Sequence, residues 1–242
     1  MRFLPIAAVS AGLLFSTTAA HAVTLNADAD AYVRGGSQGG TMNGTVTELV
    51  AAMHPVFPNG NFKTYVRFDL RTVSGTVSNA QFSITSSFSF PHANLTHFPI
   101  TVFGLNDALG DGWVENQISY NNAPGSNAVY ANMTGSAFLG GFPIPVGGAA
   151  GDTYNFASAA LDGFLNNGGG SDGLVTLILL ADTNLHDNYA SRENLQYQGP
   201  QLSYDVGTSD GGGGANPVPV PAPLAMLAAG IAGLGWLRRR AG

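Results

Sequence analysis

The 242-residue sequence contains no cysteine. Disulfide bonds therefore cannot stabilise this chain, and packing, bound ions or assembly must do so instead. Charged residues are also scarce, at 10% of the chain, whereas glycine occurs 33 times. A composition that is rich in Gly, Asn, Ser and Thr and poor in Lys and Glu is typical of a turn-rich β protein, and it argues against a helical one.

Positive charge is the rarer sign, because the chain has 9 Lys and Arg against 15 Asp and Glu. Four of these cations lie near the two ends, at Arg2 and at residues 238–240. The long segment between them keeps five cations, namely Arg34, Lys63, Arg67, Arg71 and Arg192. Carboxylates outnumber them there by more than two to one, so the segment repels phosphate backbones and we expect no nucleic-acid partner. The same excess of negative charge would not attract an anionic polysaccharide.

The first residues carry the pattern of a secretory signal. A positively charged start at residues 1–2 precedes an apolar run over residues 3–15, and an A-x-A cleavage site follows at residues 20–22. The apolar run is too short to span a bilayer. We therefore predict a signal peptide over residues 1–22 and an exported domain over residues 23–206.

The C-terminal end carries a second targeting pattern. A Gly-rich linker over residues 207–217 precedes a tail over residues 218–242, in which an apolar stretch ends at three arginines. Together with the Pro-rich motif before it, this stretch reaches about 20 residues, which is enough for a transmembrane helix with its arginines on the cytoplasmic side. The residues of this sorting layout are Val218, Pro219, Val220, Pro221, Ala222, Pro223, Arg238, Arg239 and Arg240.

Alternating hydrophobicity predicts strands in the exported domain. In residues 65–70, Val66, Phe68 and Leu70 point to one side and their neighbours to the other, as in a central strand with one face in a core. This strand is predicted over residues 63–70, and further strands at residues 29–34, 45–51, 79–90, 99–106, 152–155, 174–180, 189–194 and 201–205, with Phe82, Ile84 and Phe88 facing inward in the longest one. Residues 157–167 are the one segment predicted to form a helix. In residues 128–151 the hydrophobic residues follow no regular period.

This pattern predicts an all-β fold: a two-sheet antiparallel β-sandwich, jelly-roll-like, with one minor helix. Six segments resemble, in the same order, the DNRLRE domain, a β-sandwich family related to a carbohydrate-binding module of alginate-degrading enzymes. The matching segments are residues 30–36, 65–70, 100–107, 113–115, 118–124 and 190–193. The resemblance implies a polysaccharide as partner.

The tail resembles a PEP-CTERM sorting signal of the VPLPA type. That resemblance implies an exosortase-type sorting enzyme as a second partner and contact with the membrane through the C-terminal helix. It also implies a location in the cell envelope, on the outer surface or in the extracellular matrix of a Gram-negative bacterium.

Polar and aromatic residues suggest where a ligand would bind. Arg67 and Arg192 lie beside the carboxylates Asp69 and Glu193 in predicted strands, either as structural ion pairs or as donors to sugar hydroxyls and uronates. Aromatic rings would then supply a stacking face. The candidate ligand contacts are Tyr32, Arg67, Trp113, Tyr120, Arg192 and Glu193.

An oxygen-rich loop is a candidate calcium site. Asp182, Asn184 and Asp187 offer carboxylate and amide oxygens, which suit Ca²⁺ as a cofactor. The loop departs from an EF-hand because His186 occupies a ligand position.

Catalytic patterns are weak in this sequence. Ser37 lies in a G-x-S-x-G pattern that needs a following helix, and a glycine-rich turn is the simpler interpretation. Asp107 and Glu115 offer a carboxylate pair for glycoside hydrolysis, with nothing to fix their separation. His92 and His97 have no Cys or carboxylate beside them, so solvated loop histidines are expected rather than a metal site.

The sequence therefore predicts an exported, non-catalytic surface or matrix protein with a polysaccharide-binding β-sandwich. A structural or adhesive matrix protein without a sugar site is the alternative, and a polysaccharide-cleaving enzyme is a further one.

Overall fold

A computed structural model describes residues 21–54, 60–89, 98–126, 133–144, 147–167, 172–181 and 186–207 of the protein. Residues 1–20 of the predicted signal peptide and the whole predicted tail lie outside these ranges, as do His92, His97, Asp182 and Asn184. Within the described ranges, no helix has the length and the apolar character to cross a membrane.

Eleven strands and one α-helix make up the regular structure of the described part. The strands are β1 (His21–Asn26), β2 (Ala29–Arg34), β3 (Glu48–Ala52), β4 (Phe62–Asp69), β5 (Thr76–Thr85), β6 (Phe98–Leu105), β7 (Ser136–Ile144), β8 (Thr153–Ala157), β9 (Leu174–Ala181), β10 (His186–Ala190) and β11 (Gln201–Gly207). The helix is α1 (Ala159–Asn167), and short 3₁₀ turns cover Gly36–Gln38 and Asp107–Leu109.

The strands form two antiparallel sheets, which confirms the predicted β-sandwich. The first sheet has the order β1-β11-β5-β8. The second has the order β10-β3-β4-β9-β6-β7, and β2 also pairs with β4. Strand β4 is central, since β9 pairs with it from Lys63 to Asp69, β2 pairs with it from Phe62 to Arg67, and β3 pairs with it at Phe62.

The main hydrophobic core lies between the two sheets. Val66 and Phe68 of β4 are fully buried there, as the alternation of this strand predicts. The rings of Phe68 and Phe82 meet edge to face, with centroids 6.2 Å apart. Phe82 belongs to β5 in the first sheet, so this aromatic contact joins the two layers.

Helix α1 closes one part of the core with the face that its sequence predicts. Leu161, Phe164 and Leu165 are its buried residues. The helix begins after Ser158, whose hydroxyl oxygen accepts the backbone N–H of Leu161 at 3.0 Å and caps an otherwise unpaired donor. Gly104 of β6 lies against the Phe164 ring, so its missing side chain is what allows helix and sheet to approach.

The predictions for the regions of β5 and β7 were wrong in part. Residues 136–144 form β7, although they lie within residues 128–151, where no regular hydrophobic period predicted a strand. Its buried residues are Leu139, Phe142 and Ile144, and the break in their spacing follows from Gly140, which has φ 133°, and from a register shift in the β6–β7 pairing. Phe88 is 53% exposed instead of inward, because β5 ends at Thr85.

Candidate functional site

The outer face of the second sheet is covered by a loop. Residues 106–126, here called the cover loop, contribute Trp113, Ile118 and Ala123 to a second buried cluster against Tyr65 of β4. Ile178 and Leu180 of β9 belong to the same cluster, so β9 is buried on both faces as its unbroken apolar run predicts. The polar side of β4 is therefore a packing surface and not an open binding face.

Arg67 fastens the cover loop to the sheet. Its guanidinium binds both carboxylate oxygens of Asp28, with Nη2 at 2.8 Å from Oδ2. Nη1 donates to the backbone carbonyl oxygens of Asp111 at 3.2 Å and of Trp113 at 2.6 Å. The prediction that Arg67 pairs with Asp69 was wrong, since Asp69 binds Arg71. These contacts occupy the Arg67 guanidinium and favour the structural alternative for it.

Trp113 also helps to hold the cover loop against the sheet. It is 9% exposed, and its indole N–H donates to the hydroxyl of Thr176 at 3.0 Å. The ring lies edge-on to Tyr65, with centroids 6.2 Å apart, and the Arg67 guanidinium carbon lies 5.2 Å from its centroid. These neighbours leave little of the ring for stacking on a sugar.

The other two predicted stacking residues are half-buried: Tyr120 packs against the cluster that contains Trp113, and Tyr32 packs against a different one. Tyr32 packs against Phe62, with centroids 5.7 Å apart. The Tyr120 ring lies 5.3 Å from the ammonium of Lys63, which is fully buried. Burial raises the pKa of both tyrosines.

Three carboxylates converge beside Arg192. Asp30 of β2, Glu115 of the cover loop and Glu193 of the turn after β10 each place one carboxylate oxygen within 4.8 Å of the other two. Because Asp30 lies opposite Val66 in the β2–β4 register, its side chain turns toward the interior and is 1% exposed. Burial, the largest cause, raises the pKa of Asp30 to about 8, and the charges of Glu193 and Glu115 act in the same direction.

Arg192 joins these carboxylates to the surface. It follows β10 in a turn and not in a strand, contrary to the prediction. Its backbone N–H donates to Asp30 at 2.8 Å, and its guanidinium donates to Glu115 at 3.3 Å and to the backbone oxygen of Asp28. It also pairs with Glu193 at 3.4 Å. Its side chain stays 40% exposed, so part of the guanidinium faces solvent.

An open cleft lies next to Arg192. It has a volume of about 500 Å³ and is lined by Asn26, Ala27, Arg192, Asn194, Leu195, Gln196, Tyr197, Gln198, Gly199 and Pro200. Asn194 shapes its wall, because its side-chain oxygen accepts the backbone N–H groups of Gln196 and Tyr197 at 2.9 and 2.8 Å. The volume falls in the range of small-molecule and sugar sites, and the lining offers amide, guanidinium and phenol groups.

The residues of this cleft were missed from the sequence, apart from Arg192. The signal that was available is the alternation of amides around Tyr197 in residues 194–198. Asp28 and Asp30 were missed as well, because their partners lie 39 to 164 positions away along the chain.

The structure does not bring the candidate catalytic residues into a catalytic arrangement. Glu115 belongs to the cluster with Asp30, whereas Asp107 belongs to a different cluster with Asp111 and Asp172. Burial raises the pKa of Asp111 to about 6. Ser37 lies in a three-residue 3₁₀ turn and is not followed by the helix that a nucleophile elbow needs.

The predicted calcium loop is only partly described. Asp187 of β10 is 2% exposed, and burial raises its pKa to about 7. Its expected partners, Asp182 and Asn184, lie outside the described residues.

Comparison with known proteins gives one family match. Residues 21–137 match the model of Carbohydrate-binding module family 96, and no curated protein matches the chain. The matched part extends from β1 to the start of β7 and includes Asp28, Asp30, Arg67, Trp113 and Glu115. The match supports a carbohydrate-binding module, built here on a two-sheet antiparallel sandwich.

Proposed function

We propose that this protein is an exported, non-catalytic polysaccharide-binding module whose ligand lies in the cleft beside Arg192. The observation that carries the proposal is the match of residues 21–137 to a carbohydrate-binding family. The cleft supports it, because Asn26 and Ala27 of its wall lie inside the matched part and Arg192 contacts Glu115 from the same part.

The chemistry of the cleft suits sugar hydroxyls. Arg192 offers guanidinium donors, Gln196 and Gln198 offer both donors and acceptors, and Tyr197 adds a phenol. Leu195 is fully exposed on the rim, where it presents apolar surface to the C–H face of a sugar ring. Glu115 and Glu193 lie against Arg192 and offset its charge, so a neutral polysaccharide fits better than a uronate.

The direct test is affinity electrophoresis of the purified full chain in gels that contain neutral polysaccharides or alginate. We expect retardation by a neutral polysaccharide. Arg192→Ala should weaken that retention, measured per folded molecule because the variant also loses the pairing with Glu115 and Glu193, about tenfold, the size of one hydrogen bond to a charged group. Gln198→Ala should also weaken retention, by a smaller factor, although it does not touch the carboxylates.

Arg71→Ala is the matched control, because Arg71 is exposed and binds Asp69 on another part of the surface. Its retention should equal that of the unmodified protein. Absence of retardation in every gel would leave the structural or adhesive matrix protein as the function. Release of reducing sugar would instead establish the enzyme alternative.

The targeting part of the proposal is supported by the sequence patterns at both ends. A PEP-CTERM-like tail handled by an exosortase-type enzyme would hold the module in the envelope or deliver it to the matrix of a Gram-negative cell. N-terminal sequencing and intact mass of the protein from its own cells test this. We expect a start at Val23 and loss of the tail; both ends intact in the cytosol would overturn it.

A further inference from the structure

The cluster of Asp30, Glu115 and Glu193 has more negative charge than its surroundings offset. Arg192 is the cation that contacts these carboxylates among the described residues, and it pairs with Glu115 and Glu193 at 3.3 and 3.4 Å. Three carboxylates and one guanidinium leave a deficit of two positive charges when all are ionised. Water screens little of this deficit at Asp30, which is 1% exposed.

Two oxygens of the cluster are buried without a hydrogen bond. Within the described part of the chain, neither Oδ1 of Asp30 nor Oε2 of Glu193 has a donor. A buried carboxylate oxygen with no donor is costly, and a bound ion is one of the explanations for such an exception. The remaining oxygens are held in place, since Oδ2 of Asp30 accepts the Arg192 backbone N–H and Oε1 of Glu115 accepts the Asp30 backbone N–H, each at 2.8 Å.

We propose that Asp30, Glu115 and Glu193 bind one Ca²⁺ ion. The ligands are all hard oxygens, and their oxygen atoms lie within 4.8 Å of one another, a separation that oxygens around one Ca²⁺ ion can have. The cluster holds no His or Cys, the ligands that most zinc sites use. A divalent charge also equals the deficit that Arg192 leaves.

The ion would join three segments that are far apart in the sequence. Asp30 and Glu115 are separated by 85 positions, and Asp30 and Arg192 by 162. It would therefore connect β2, the cover loop and the turn that begins the cleft, in a chain that has no cysteine for this purpose. This site is distinct from the loop of Asp182, Asn184 and Asp187 that the sequence suggests, and it does not depend on the proposed sugar binding.

The test measures calcium directly on the purified full chain after dialysis against chelator. Equilibrium dialysis with elemental analysis should find one Ca²⁺ bound to this cluster per chain. With Ca²⁺ at about one hundred times its dissociation constant, the melting temperature should rise by about 5–11 °C. A melting temperature that does not respond to Ca²⁺, together with no bound ion, overturns the proposal.

Asp30→Asn separates a metal ligand from a structural residue. The variant should lose at least about tenfold in Ca²⁺ affinity. It should nevertheless melt, in chelator, at or above the temperature of the unmodified protein, because a neutral amide replaces a carboxyl group whose negative charge is costly to bury. Glu193→Gln should likewise lose Ca²⁺ affinity.

Two control variants, Asp172→Asn and Asp187→Asn, decide between this cluster and the other carboxylates. Asp172 belongs to the second cluster, and Asp187 to the loop that the sequence suggests. Both should keep the ion that depends on Asp30 and its effect on the melting temperature. If either control abolishes the calcium response while Asp30→Asn retains it, the proposal is wrong and the site lies there.

Discussion

Arg67 should be required for the stability of the domain and not for its binding, and Arg67→Met tests this. Methionine keeps most of the apolar stem but removes every donor of the guanidinium. Asp28 would lose its ion-pair partner, and the carbonyl oxygens of Asp111 and Trp113 would lose their donor. The cover loop would then be held to β4 by apolar contacts, by the hydrogen bond from the Tyr65 hydroxyl to the Pro124 carbonyl oxygen at 3.0 Å and by the contact of Lys63 with the Tyr120 ring.

The magnitude follows from burial. Breaking a buried ion pair by removing one partner costs about 3–5 kcal/mol. The side chains of Arg67 and Asp28 are 15% and 31% exposed, so water screens part of the remaining charge and the lower end, about 3 kcal/mol, is expected. For a domain of this size, that loss corresponds to a fall in melting temperature of about 6–12 °C.

Thermal unfolding of Arg67→Met beside Arg71→Met measures the difference. Arg71 also binds a carboxylate, but its side chain is 62% exposed, so its replacement should change the melting temperature by less than about 2 °C. Polysaccharide retention per folded molecule should be unchanged in both variants. Equal small shifts, or loss of retention by folded Arg67→Met, would contradict the structural role and return Arg67 to the ligand surface.

Other positions give predictions of different kinds. Lys63 is buried with its ammonium 3.4 Å from the sulfur of Met133, and burial lowers its pKa from 10.5 to about 8. The unfolded chain therefore holds this proton more tightly, so the free energy of unfolding should rise between pH 8 and 10.5, by about 3 kcal/mol relative to Lys63→Met. Urea unfolding at pH 7 and pH 10 checks this, and parallel pH curves for the two proteins would refute it. Gly104→Ala would push a methyl group into the Phe164 ring and should cost about 1–3 kcal/mol, whereas Gly163→Ala in α1 meets no atom within 4 Å and should gain up to about 1 kcal/mol. Both are read from the same unfolding curves, and a destabilised Gly163→Ala would show that the helix is more crowded than described.

The sandwich was predictable because its signals are local. The alternation at Val66 and Phe68 needs only the two-residue period of a strand, and the buried face of α1 needs only the helical period. Strand β7 was not predictable in the same way. Gly140 and the register shift opposite it change which residues face the core partway along the strand, and no periodic pattern carries that information.

The candidate site was less predictable, because its chemistry depends on partners that are distant in the sequence. Asp69 is two residues from Arg67 and faces the same way, yet the Arg67 guanidinium binds Asp28, which the β2–β4 pairing brings alongside. Trp113 likewise looks like a stacking platform until the cover loop is seen to bury it. Arg192 was identified correctly as a polar contact near carboxylates, although its place in a turn was missed.

The cover loop also limits the way in which a polymer can be recognised. Sandwich proteins whose sheet faces are open can lay a long glycan across several strands, so that affinity grows with every added sugar. Here the central strands of the larger sheet are occupied on both sides, by the smaller sheet and by residues 106–126. If the ligand binds as we propose, it lies in the cleft of about 500 Å³ beside Arg192 and not across these strands. A short oligosaccharide should therefore displace the bound polysaccharide nearly as well as the full-length polymer does, when the two are compared at equal concentrations of binding sites.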